Sequence, residues 1–247
     1  MKKSILTTVG LSLAILIGLA GCKDTIKGDG NIVTKKQELQ PFSQISIVGM
    51  YDVRLMEGSP GYELTIDENL HAYVLNEMEG NKVTIGSVDH MLDADSAVLK
   101  IYFEDLNEIE INGACKLNSD HVFDEVLNVK INGASEMQLA LNVSSSHFEL
   151  NGGAEIELSG QANKLDLELN GAAEVSAFEL VTDETHISIM GAGEVETHAL
   201  KRLDVSIKGA GNVEYIGDPE VTQSIMGAGE VKQQGKEKQA SETKQAA

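Results

Sequence analysis

The sequence runs to 247 residues, and its 19 basic against 39 acidic side chains give a formal charge of −20. A chain so acidic is not built to hold nucleic acid or an anionic lipid surface through charge. With only two arginines, Arg54 and Arg202, and no tryptophan, it is also poor in the guanidinium and indole groups with which enzymes grip acidic sugars.

In chain order, residues 1–21 read as a lipoprotein signal peptide. Lys2 and Lys3 supply a positive start, and Ile5 to Ala20 is largely apolar. That stretch of about 16 residues is shorter than the roughly 20 that a membrane span needs. It closes on Leu19-Ala20-Gly21-Cys22, which resembles a bacterial lipobox. Cys22 is therefore expected to carry lipid and to become the first residue of the mature chain. Two acyl chains give stable attachment to a membrane. Residues 22–30, polar and glycine-containing, read as a lipidated tether. Losing Lys2 and Lys3 leaves 17 basic against 39 acidic residues, a formal −22 for a mature chain long enough to form one sizeable domain.

From residue 31 to 106 the sequence alternates loosely. Tyr62 to Ile66, Lys82 to Ile85 and Val98 to Phe103 have the period of two that marks a strand with one buried face. Ile45-Ser46-Ile47-Val48-Gly49-Met50-Tyr51-Asp52-Val53 looks like a degenerate copy of a phrase that recurs later. The 64 residues from Gly49 to Gly113 fit three coils of about 21. This region is expected to form irregular N-terminal coils and a cap; a separate small β-domain is the alternative.

Residues 107–231 carry the regular repeat. The phrase reads I-N-G-A-C-K-L at Ile111, L-N-G-A-A-E-V at Leu169 and I-M-G-A-G-E-V at Ile225, with four further copies between them. Its first glycines stand at 113, 133, 152, 171, 191, 209 and 227, so the period is 18 to 20 residues. Before each glycine the residues alternate, as in Leu165-Asp166-Leu167-Glu168-Leu169-Asn170. The glycine supplies a bend, and an apolar residue such as Val175 or Val195 then starts the next short strand. At roughly 3.3 Å per residue, such a unit holds about three short strands. The expected fold is all-β, a single-stranded parallel β-helix with coils of about 18–21 residues, each coil buried against its neighbours. A β-propeller blade would need about twice this period. Stacking would place Asn112, Asn132, Asn151 and Asn170 in one column, able to exchange side-chain hydrogen bonds. Residues 232–247 are polar without apolar periodicity and are expected to be disordered.

Candidate chemistry is sparse. Glu136, Glu155, Glu174, Glu194 and Glu230 share a column interrupted by Lys116 and Asn212. They are read as splayed into water; a calcium role would have to assemble about six to eight oxygens. Cys115 occupies a position filled elsewhere by Ser135, Ala154, Ala173 and glycines, so it is read as a small side chain rather than a nucleophile. His71, His90, His121, His147, His186 and His198 form no metal-binding pair and are read as surface or loop residues. No catalytic, cofactor-binding or metal residue is assigned.

Gly28-Asp29-Gly30-Asn31-Ile32-Val33, then Phe42 to Val53, then the repeated I-x-G-A-[GAS]-E-V phrases resemble the auto-transporter adhesin family with head-GIN domains. The resemblance runs from about Gly28 to Val231. It implies a right-handed parallel β-helix and a place in the cell envelope, and it brings no catalytic residues; with the lipid anchor, the outer membrane is the expected site, facing the periplasm or the cell surface. Three functions are weighed: a non-catalytic lipoprotein displaying a β-helix for adhesion or surface binding, a polysaccharide-active enzyme, and a self-assembling envelope scaffold. The first is adopted. Its partners would be the membrane, through lipid on Cys22, and an unidentified glycan or protein; no nucleic acid is expected.

Overall fold

Period-two alternation produces strands whose inward residues share columns. The computed structural model describes residues 24–234; residues 1–23, which hold the expected signal peptide and Cys22, and residues 235–247 lie outside the described residues. The described residues are all-β apart from one short 3-10 helix, Glu68–Tyr73. No helix among the described residues is long and apolar enough to cross a membrane.

The strands are β1 (Thr25–Lys27), β2 (Ile32–Glu38), β3 (Gln44–Glu57), β4 (Gly61–Asp67), β5 (Leu75–Glu79), β6 (Lys82–Gly86), β7 (Met91–Asp93) and β8 (Val98–Phe103). They continue as β9 (Glu108–Phe123), β10 (Leu127–Ile216), β11 (Glu220–Gly227) and β12 (Glu230–Gln233). All but β1 and β7, which pair with each other, belong to one mixed sheet that does not close into a barrel.

From β9 onward the pairing between strands is parallel and follows the repeat. Asn128 to Gln138 lie beside Glu108 to Asn118 at an offset of 20, and Arg202 to Gly209 lie beside Glu220 to Gly227 at an offset of 18. β12 pairs with Asn212 to Tyr215 at the same 18. Ile47, Ile111, Ile131, Leu150, Leu169, Ile189 and Ile207 are each wholly buried. Each such aliphatic side chain contributes roughly 1.5–3 kcal/mol of gross burial, which chain ordering largely offsets.

The glycines explain the bend. Gly113, Gly133, Gly152, Gly171, Gly191, Gly209 and Gly227 all have φ between 134° and 152°. A Cβ on Gly191 would lie 2.3 Å from the carbonyl oxygen of Gly171, and one on Gly171 would lie 2.3 Å from that of Gly152. The corner thus needs glycine twice over, for backbone angle and for room.

The N-terminal part departs from the sequence reading. Instead of three coils between Gly49 and Gly113, the register sets Gly49 directly beside Gly113, with Gln44 to Leu55 paired to Glu108 to Ser119. On the other side of β3 lie β6 and β8, with Ile47 beside Ile85 and Val53 beside Leu99. The layer formed by residues 82–103 therefore lies on the side of β3 away from β9, and β3 is held between the two. β4 adds to this end antiparallel to both β8 and β2, and β5 pairs antiparallel with β6, so this end is capped by strands of mixed direction.

Two ends of the expected boundaries also move. Residues 25–27, read as tether, form β1 against β7. Gly28 packs on the buried Asp67, whose Oδ1 accepts the Gly30 N–H at 2.7 Å and whose Oδ2 accepts the Asp95 N–H at 3.2 Å. A carboxylate accepting backbone N–H groups is a strong anchor for an otherwise polar segment. At the other end β12 runs to Gln233, and Gln234 N–H donates to the Tyr215 carbonyl, so order reaches into the stretch read as tail.

Candidate functional site

The residues that follow each corner glycine build a groove along one edge. An exposed small residue (Ala114, Ala134, Gly153, Ala172, Ala192, Ala210) is followed by a buried one (Cys115, Ser135, Ala154, Ala173, Gly193, Gly211) and then by an exposed polar one. Two small residues in succession leave the backbone almost bare, and the polar column forms the rim. The groove has a volume of about 720 Å³.

Along the rim the order is Asp52, Lys116, Glu136, Glu155, Glu174, Glu194, Asn212 and Glu230, with Asp52 beside Lys116, Glu136 beside Lys116 and Asn212 beside Glu230 in register. All five glutamates are exposed, as the sequence reading has them. Lys116 Nζ donates to Glu136 Oε2 at 2.7 Å, and that hydrogen bond raises the lysine pKa. Fixed by the backbone at about 4.8 Å per repeat, the carboxylates present one sign of charge to solvent.

Cys115 sits where a thiol is poorly suited to nucleophilic attack. It is buried, and desolvation pushes its thiol up to about 11, with a hydrogen bond from the Tyr51 backbone opposing the shift in part. A thiol so placed carries negligible thiolate at neutral pH.

The asparagine column forms as expected. Asn132 Nδ2 donates to Asn112 Oδ1 at 2.9 Å, Asn151 to Asn132 at 3.0 Å and Asn170 to Asn151 at 3.0 Å.

All six histidines are partly exposed; four of them stand on strands, His71 on the 3-10 helix and His90 in a loop. His121 packs edge-on between Phe103 and Phe123, at ring distances of 5.3 and 5.0 Å. His71 Nε2 lies 3.0 Å from the Val33 carbonyl oxygen. His186 Nδ1 lies 3.1 Å from Asp204 Oδ2, which also accepts from Arg202 Nε at 2.8 Å. With His147, Asp166 and Glu168, these residues line a second groove of about 620 Å³. That grouping was hidden because 186 and 204 are far apart in sequence; their separation by one 18-residue period was the available signal.

Comparison with family models matches residues 41–219 to the model described as "Putative auto-transporter adhesin, head GIN domain". The chain belongs to this family. Comparison with curated proteins finds no match. Among solved structures, a putative adhesin from Bacteroides fragilis is 19% identical with a TM-score of 0.76, over 84% of this chain and 99% of that one. A protein titled putative lipid binding protein, from Parabacteroides distasonis, is 22% identical with a TM-score of 0.68, over 86% and 100%. A putative adhesin from the same species is 24% identical with a TM-score of 0.67, over 85% and 100%. At these identities the likeness of this head-GIN family member to the solved structures is one of fold.

Proposed function

We propose that this chain is a lipid-anchored envelope protein that displays a right-handed parallel β-helix on the cell surface and binds a partner there without chemistry. The observation that carries this reading is the corner groove. Its floor is nearly bare backbone locked by glycine contacts, and its rim is a column of exposed carboxylates at fixed spacing. A rigid surface of this kind loses little conformational freedom on binding and favours a partner that presents cationic groups at the repeat distance. The adhesin descriptions of the family and of solved relatives point the same way. The 18- and 20-residue offsets of the parallel ladder support the helical winding.

Attachment rests on the lipobox ending in Cys22. Mass spectrometry of the mature N-terminus is expected to show an acylated Cys22, and Cys22→Ala is expected to release or mislocalise the protein. An unmodified N-terminus downstream of Cys22 in membrane-bound protein would refute the anchor.

A further inference from the structure

Between β6 and β8 the chain leaves the layer that flanks β3. Ser87 to Ala97 swings out so that Met91–Asp93 can pair with Thr25–Lys27 instead of covering the corner at Gly49. The corner there is walled by Gly49, Gly113 and Ala114, which have little or no side chain, and the detour opposite leaves a pocket of about 280 Å³. Tyr51, Ile66, Leu92, Ala94 and Ala97 make its walls apolar, and Met50 and Met91 stand at it with 51% and 54% of their surfaces exposed. His90 also lines it, and its Nδ1 is buried without a hydrogen-bond partner.

The position of this pocket identifies what enters it. The Met91 N–H donates to the Asp24 carbonyl at 3.0 Å, so the described chain begins at the pocket. Cys22 lies two residues further back, a reach of at most about 7 Å. A lipid on that cysteine keeps the pocket against the membrane surface. On the same loop Asp89, Asp93 and Asp95 are exposed between the lining residues, which disfavours an anionic headgroup.

We propose that this pocket takes one alkyl chain of a neutral, single-chain amphiphile from the adjoining membrane. The volume, just under the roughly 300–1,000 Å³ of drug-sized sites, suits part of one chain rather than a whole diacyl lipid. The proposal rests on the anchored reading for its orientation but on the pocket's own walls for its chemistry.

The test uses the mature protein in native membranes, with a photoactivatable monoacylglycerol and the matching photoactivatable fatty acid as probes. After illumination, peptide mass mapping is expected to find monoacylglycerol adducts within residues 48–51 and 90–97. Fatty-acid adducts there should be at least tenfold fewer. Ala97→Phe, which fills the pocket, and Met91→Lys, a change at an exposed site that leaves the core intact, should each lower the yield at least tenfold. Met226→Lys, at an exposed methionine far along the sheet, should leave it unchanged. Equal adducts at Met190 and Met226, or a full yield in folded Met91→Lys, would overturn the proposal. Labelling of Cys22→Ala protein but not of acylated protein would assign the pocket to the protein's own anchor and also overturn it. The mass of the N-terminus in the same samples reports on lipidation by itself, so a failed anchor and a failed pocket are read separately.

Discussion

Asn170 ends the asparagine column with an unmet acceptor. Its Oδ1 is buried and has no hydrogen-bond partner, because the position one repeat on holds Met190, half of whose surface is exposed. An asparagine at 190 would stand where each earlier member of the column stands relative to its neighbour, with its Nδ2 donating to Asn170. Met190→Asn is expected to stabilise the protein by about 1 kcal/mol, the net worth of one satisfied hydrogen bond. Urea unfolding of parent and variant measures this, and a fall in the midpoint would show that the column does not extend. The pairing of Asp67 with Gly28 and Gly30 is the other residue-scale feature that matters, since it turns the first described residues into part of the fold. Nothing local in the sequence marks it. A buried carboxylate 37 residues from its hydrogen-bond donor leaves no periodic trace.

At the scale of the element, the corner is where the repeat is most exposed to damage. A side chain at 191 would need a left-handed backbone and would press its Cβ on the carbonyl of Gly171. Gly191→Val is expected to cost roughly 3 kcal/mol or more, as overpacking and backbone strain combine. Hydrogen exchange should place the loss mainly in the repeats beside residue 191, since each repeat leans on its neighbours. Glu194→Gln, three residues on and exposed, should be neutral or slightly stabilising because it relieves like-charge repulsion along the rim. If Gly191→Val melts with the parent while Glu194→Gln unfolds early, the corner and the solvated rim are both misassigned. These positions were legible in the sequence because glycine, small residue and glutamate recur at one period. The His186–Asp204–Arg202 group was not, because a side chain's partner across the ladder appears only when the offset is applied.

For the whole molecule, the order of the N-terminal layers is the feature that sequence pattern could not reach. Alternation in Ile45, Ile47, Val83 and Ile85 tells which face is buried, but it does not tell which strand lies next. The structure sets β3 between the 82–103 layer and β9, so Asp52 stands beside Lys116. Cysteines at 52 and 116, with Cys115 replaced by serine, are expected to form a disulfide, since neighbouring strands lie about 4.8 Å apart. Three intervening coils would hold them beyond disulfide reach, and a pair that stays reduced under oxidising conditions would favour that arrangement.

The central claim is that this framework is held by lipid with its surface facing outward from the cell. Met226 is 59% exposed, whereas Cys115 is buried and is expected to react little with thiol reagents. A membrane-impermeant maleimide applied to intact cells carrying Met226→Cys measures display directly. The labelling is expected to equal that of lysed cells, and labelling that appears only after lysis would contradict the account.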